Sequence, residues 1–287
     1  MGLDHIPAEQ DWFVPNASMA GPFAPNNQET VAQDLQVIGD LPSDLNGMYV
    51  RNGPSPAHVP HGKYHWFDGD GMLHSVRFQN GTATYRNRWV ETDGLKAENA
   101  AGRSLWPGLK ERMPEGALPD DAMKNTSNTD VKFHNGKLYS MWYRGGSVYT
   151  VDPVSLQTLG KLEQDPRLVG LQISAHSRVD EATGEFMFFA YGNRHPFMHY
   201  GVIGADGSLK TFMPVELPGP RLPHDCAITP NYTILHDFPL VNNAQALARG
   251  RYSLEFHQDW PTRYAVIPRH GTPDQICWFA FKPRYML

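Results

Sequence analysis

Two of the thirteen histidines among the 287 residues have the setting that metal chemistry needs. His176 closes the apolar run Ile173-Ser174-Ala175, and His224 stands within Leu222-Pro223-His224-Asp225-Cys226. They lie 48 positions apart, about one propeller-blade repeat of roughly 40–50 residues. One blade of separation places equivalent inner positions side by side about a central axis. A pair of neutral imidazoles there can bind a divalent metal, and imidazole suits Fe, Zn or Cu without choosing among them. The competing reading is a satisfied polar group at the end of a strand. His58, His61, His195 and His270 sit near Pro or Gly in turn-like contexts and read as solvated or capping. His134 precedes Asn135-Gly136 and reads as structural. His65 and His74 flank Asp68-Gly69-Asp70-Gly71, where they can hydrogen-bond across the turn.

The elements that must position these side chains are strands. Alternating or β-branched and aromatic runs recur at Thr30–Ile38, Gly47–Arg51, Met72–Phe78, Thr82–Thr92, Asp130–His134, Lys137–Tyr143, Ser147–Val151, Glu185–Tyr191, His199–Ile203, Ser208–Phe212, Tyr232–His236, Arg263–Ile267 and Ile276–Phe281. The pairs Asn46-Gly47, Asn80-Gly81 and Asn135-Gly136 favour the positive φ of tight hairpins, and Thr183-Gly184 and Asp206-Gly207 mark two more. No 15-residue window keeps a helical period; the best helix candidate is Asn242–Arg249. The pattern predicts an all-β meander of hairpins, a propeller before a sandwich. Residues 1–30 read as an extended arm and 31–287 as the propeller portion. The stretch 97–123 breaks the rhythm as an insertion or a pair of short helices. Its Leu105, Trp106, Leu109 and Met113 among basic residues read either as a surface loop or as a membrane-facing patch.

A net charge of −5 leaves no basic face for nucleic acid. Cys226 and Cys277 match no zinc spacing and read as two reduced core thiols. No secretory leader or long apolar stretch is present in the sequence, so the expected location is cytoplasmic, with peripheral membrane contact through the patch as the open alternative. Tyr285-Met286-Leu287, apolar and directly after a core strand, suggests a fold that continues.

Asn46-Gly47-Met48-Tyr49-Val50-Arg51-Asn52-Gly53-Pro54-Ser55-Pro56 resembles the signature of carotenoid cleavage oxygenases. His65-Trp66-Phe67-Asp68-Gly69-Asp70-Gly71-Met72, Gly21-Pro22-Phe23-Ala24-Pro25, Ala175-His176-Ser177-Arg178-Val179-Asp180 and His224-Asp225-Cys226-Ala227-Ile228-Thr229 resemble further motifs of that family, in family order. The resemblance implies a seven-bladed β-propeller of which this chain covers the first four or so blades. It implies Fe(II) on the axis, with His176 and His224 as the first two of four histidine ligands. It also implies O2-dependent cleavage of a double bond in a lipophilic polyene or stilbene. The other two histidines would follow Trp278-Phe279, beyond Leu287, so a truncated chain is expected. A catalytically inactive partial propeller that binds a lipophilic ligand or a partner chain, or that self-associates through open sheet edges, is the alternative.

Tyr143 stands where the family carries a glutamate that orients an iron-bound histidine, and a phenol brings no negative charge to that task. Phe67, Trp142 and Leu109 fall at positions of the substrate tunnel wall. Leu109 and Trp142 occupy the places of the tyrosine and lysine with which the lignostilbene-cleaving branch grips a phenol. Apolar side chains there point to a carotenoid or apocarotenoid instead.

Overall fold

The computed structural model of the chain describes residues 17–33, 35–115 and 122–284. Most of the arm expected over 1–30, residues 116–121 of the insertion and the apolar end Tyr285-Met286-Leu287 lie outside the described residues.

Four antiparallel four-stranded sheets follow one another along the chain. The first holds β1 (Val31–Ala32), β2 (Gly47–Pro54), β3 (Gly71–Gln79) and β4 (Thr82–Trp89), in the order β1-β4-β3-β2. Helix α1 (Asp93–Ala101) follows. The second sheet runs β5-β6-β7-β8 over Asp130–His134, Lys137–Met141, Tyr149–Val151 and Thr158–Lys161. The third is β9 (Arg178–Asp180), β10 (Glu185–Tyr191), β11 (Met198–Ile203) and β12 (Leu209–Pro214). The fourth begins with β13 (Cys226–Ile228) and β14 (Tyr232–Asp237). It then makes an excursion through the hairpin β15 (Leu240–Asn242) and β16 (Leu254–Phe256), which encloses α2 (Ala244–Ala248). It closes with β17 (Thr262–Pro268) and β18 (Cys277–Phe281).

The sheets stack because their strands are apolar on both faces. On β10, Phe186 and Phe188 point one way and pack with Tyr139 and Met141 of the second sheet and with Val148 just ahead of β7. Met187 and Phe189 point the other way and pack with Leu235, Ala265 and Ile267 of the fourth. A third cluster, Leu73 and Val90 with Leu138, Tyr149 and Val151, joins the first two sheets. Period-two alternation thus feeds two cores from one strand. Strands β5, β9 and β13 touch in series along one edge of the stack, as the inner strands of successive propeller blades. Among the described residues the inner strands touch in the series β2, β5, β9 and β13, and no strand of the first sheet pairs with one of the fourth. This is an all-β partial propeller.

Most of the longer strands lie where the sequence puts them, but the short strands β8, β9, β13, β15 and β16 fall outside the expected runs, and other differences are local. The run at Thr30–Ile38 reduces to Val31–Ala32, and Ile38 is 96% exposed. Asn80-Gly81 and Asn135-Gly136 make tight turns with positive φ at both residues, whereas Gly47 opens β2 and makes no hairpin. Helix α1 starts ahead of the expected insertion. Thr92 Oγ1 caps it by accepting Leu95 N–H at 3.0 Å, and Gly102 at φ 66° ends it. The thiols differ from each other: Cys226 is buried, but Cys277 is exposed because it lies on β18, the outer strand of its sheet. No described helix is long and apolar enough to cross a membrane.

Candidate metal centre

His176 and His224 stand two residues ahead of β9 and β13, at equivalent places on neighbouring inner strands. Their rings lie 4.6 Å apart at 38°. Local chemistry shapes both approaches. Ser177 Oγ donates to Ser174 O at 2.9 Å, tightening the turn that carries His176. Pro223 restricts the residue before it to extended backbone, and Leu222 N–H reaches Leu240 O at 3.2 Å.

A cross-blade tie sets the spacing. Arg178 Nη2 donates to Asp225 Oδ1 and Oδ2 at 2.7 and 2.8 Å, and Arg178 Nε donates to Cys226 O at 3.2 Å. In return, Cys226 Sγ lies 3.4 Å from the carbonyl of His176. Arg178 is two residues past one histidine and Asp225 is one past the other, so this tie holds the two imidazole-bearing turns together. The sequence reading singled out neither residue, although both sit inside the motifs that carry the histidines.

Burial lowers the pKa of both imidazoles from the ordinary value. For His224 the neighbouring His176 adds to the lowering; for His176, Asp225 and then Asp130 oppose it. Both rings are therefore neutral near pH 7, the form that donates a lone pair to a metal. Asp130 Oδ2 lies 4.0 Å from His176 Nδ1. The donor set fits one divalent ion as two neighbouring imidazoles, with bonds of about 2 Å each. Among the described residues no group of three or more His, Cys, Asp or Glu assembles as a metal cluster. At the equivalent place ahead of β5 stands Asn128, whose amide donates to the carbonyls of Phe67 and Gly69 at 2.9 and 2.7 Å.

The aromatic candidates gather beside this end of the blades. The Tyr143 ring lies 5.2 Å from Phe67 and 5.5 Å from Trp142. Its hydroxyl is buried without a hydrogen-bond partner, and its ring packs on these two aromatics. Phe67 and Tyr143 separate two cavities. One, of about 560 Å³, reaches Asn128 and Thr129 and is lined by Phe23, Trp66 and Arg51. The other, of about 50 Å³, is bounded by Trp142, Trp106, Asp68 and Lys124. Inside the second, Lys124, its side chain 9% exposed, pairs with both Asp70 and Glu98, an ionic centre of which only Asp70 stands in a quoted motif. Leu109 borders neither cavity; its amide caps Asp68 Oδ1 at 3.0 Å.

The expected membrane-facing patch is only half presented. Leu105 and Met113 are buried at 7% and 6% exposure. Leu105 N–H is held by Glu98 Oε1 at 2.9 Å and Met113 N–H by Gly250 O at 2.8 Å, which turns both side chains inward. Trp106 and Leu109 remain half-buried.

Comparison with known proteins bears on this geometry. A carotenoid 9,10(9',10')-cleavage dioxygenase 1 of Phaseolus vulgaris is 35% identical over 288 residues, covering 94% of this chain and 53% of that protein. The crystal structure of a Pseudomonas brassicacearum lignostilbene dioxygenase superposes with a TM-score of 0.82 at 28% identity, over 93% of this chain and 56% of the other. A variant of the Synechocystis apocarotenoid oxygenase gives 0.76 at 26% identity, over 90% and 57%. The chain spans about half the length of the curated relatives it matches. The family model described as retinal pigment epithelial membrane protein matches residues 23–287, and the chain belongs to that family.

Proposed function

We propose that the chain serves oxidative cleavage of a carbon–carbon double bond in a carotenoid or apocarotenoid. Dioxygen is the co-substrate, the products are two carbonyl compounds, and Fe(II) is held at His176 and His224. The observation that carries this reading is the pair of imidazoles, ring centres 4.6 Å apart, at equivalent positions of adjacent blades. Ferrous iron, when bound, supplies the redox chemistry that lets dioxygen react with an alkene. The chain's own residues do the rest. Arg178 and Asp225 fix the spacing of the imidazoles. Phe67, Trp142 and Tyr143 offer aromatic surface on which a conjugated chain can lie with water excluded. Trp142 offers no cation for a phenolate, which favours a polyene over a phenolic stilbene.

The protein is proposed to be cytoplasmic, with Trp106 and Leu109 as the members of the insertion left to touch a membrane surface. The test is incubation of the purified, Fe(II)-loaded chain with an apocarotenal under ¹⁸O₂. Two carbonyl fragments carrying the label support the reading. Unchanged substrate beside a chain that holds iron contradicts it.

A second reading, a non-catalytic partial propeller that binds a lipophilic ligand or self-associates, is favoured by β18, whose Phe279 and Phe281 are 52% and 57% exposed on an outer strand. Sedimentation showing a stable monomer across the micromolar range contradicts the self-associating form.

A further inference from the structure

Four ionic side chains surround the paired imidazoles, and their commitments differ. Both oxygens of Asp225 are engaged, by Arg178 Nη2 at 2.7 and 2.8 Å and, for Oδ1, by Cys226 N–H at 2.7 Å. Asp130 is the first residue of β5, on the opposite side of His176. Its Oδ1 accepts Val131 N–H at 2.7 Å, and Lys132 Nζ approaches Oδ2 at 2.9 Å. These contacts hold the carboxylate from two sides and leave Oδ2 facing His176 Nδ1 at 4.0 Å. A carboxylate oxygen accepts more than one hydrogen bond. The separation exceeds a direct hydrogen bond; a small swing about the soft χ2 of His176, or one bridging water, closes it.

We propose that Asp130 is the positioning carboxylate of this site: it selects the tautomer of His176 with the proton on Nδ1 and leaves the Nε2 lone pair for a metal. The inference rests on the reading of His176 as a ligand given above and deepens it. A ligating imidazole needs a partner on its second nitrogen to fix the ring and raise its basicity. Tyr143 brings no charge, and its ring packs on Phe67 and Trp142 with its hydroxyl unpartnered. Asp130 supplies that charge from the neighbouring inner strand, one residue position that a one-letter change would remove.

The tautomer can be read without metal. Long-range ¹H–¹⁵N correlation on the histidine-labelled 287-residue chain reports which ring nitrogen carries the proton, with His176→Gln assigning the signal. The expected result is His176 protonated at Nδ1 in the wild type, a shift toward Nε2–H in Asp130→Ala and in the isosteric Asp130→Asn, and restoration in Asp130→Glu. An Nε2–H tautomer in the wild type, or one indifferent to Asp130 in a natively folded variant, overturns the proposal. Co(II) affinity by chelator competition gives the second readout, with a loss of about 10- to 100-fold expected for Asp130→Ala; equal affinity overturns the proposal. A wild-type chain that takes up no Co(II) removes the ligand reading of His176, and the tautomer still decides whether Asp130 orients the ring.

Discussion

Arg178 of the third blade grips Asp225 of the fourth through two hydrogen bonds of 2.7 and 2.8 Å, and the two histidines that flank this pair face each other as a result. Both partners are about a third exposed, so the pair itself contributes little to stability, about 1 kcal/mol or less. Its effect is on geometry. Arg178→Met is expected to shift the denaturation midpoint only slightly while weakening Co(II) binding by tenfold or more. A variant that binds Co(II) as the wild type does would show that the turns hold their spacing without the tie.

Tyr143 gives a prediction of opposite character. Its hydroxyl is buried and without a hydrogen-bond partner, and such a group costs about 1–3 kcal/mol of desolvation. Removing it in Tyr143→Phe should leave the ring packing on Phe67 and Trp142 intact. Thermal unfolding of the variant is expected at the same temperature as the wild type or higher. A drop in Tm would mean that the phenol is bonded in solution, as a residue orienting a histidine would be.

Arg269 should be costly to remove. It is 5% exposed and reaches Asp180 and Glu185 at 2.7 and 3.2 Å, joining the end of β17 to the β9–β10 hairpin. Truncating it leaves two partly exposed carboxylates and the Thr229 carbonyl without their partner. Arg269→Ala is therefore expected to unfold at much lower denaturant concentration, and a loss under 1 kcal/mol would contradict a load shared across these two blades.

His134 makes stability depend on pH. The ring is 2% exposed and its Nδ1 lies 3.1 Å from Tyr139 Oη. Burial lowers its pKa from the ordinary imidazole value. The unfolded chain takes up this proton near pH 6.5, and the folded chain only at lower pH. Between the two the unfolded state binds more protons. Stability is therefore full above about 6.5 and is lost as pH falls through the folded value, by up to about 1.4 kcal/mol per pH unit for this one group. His74 and His199 are lowered in the same direction by burial. His134→Gln should flatten the acid limb of a stability-against-pH curve without abolishing it; an unchanged slope would place the proton elsewhere.

The long strands were legible because each buries two faces or turns at an Asn-Gly pair: Asp130–His134 and Glu185–Tyr191 have the limits that their residues suggest. The inner strands β9 and β13 were not. Each is three residues long, and Arg178, Asp180 and Cys226 have no strand preference of their own; pairing with β10 and β14 makes them strands. The histidines were visible through spacing and family likeness, but Asp130 was hidden because its contact with His176 crosses from one blade to the next. Leu105 and Met113 misled for a related reason. Their apolar character was plain, whereas the Glu98 carboxylate that holds the Leu105 amide and the distant Gly250 carbonyl that holds the Met113 amide are tertiary partners that no local pattern shows.

The central claim is that His176 and His224 hold a metal together. Its most direct test is the metal content of the purified 287-residue chain after anaerobic loading with Fe(II), measured beside His176→Ala and His224→Ala. The account predicts iron near one equivalent in the wild type and loss of it in both variants. No retained iron in the wild type, or iron that survives both substitutions, would contradict it.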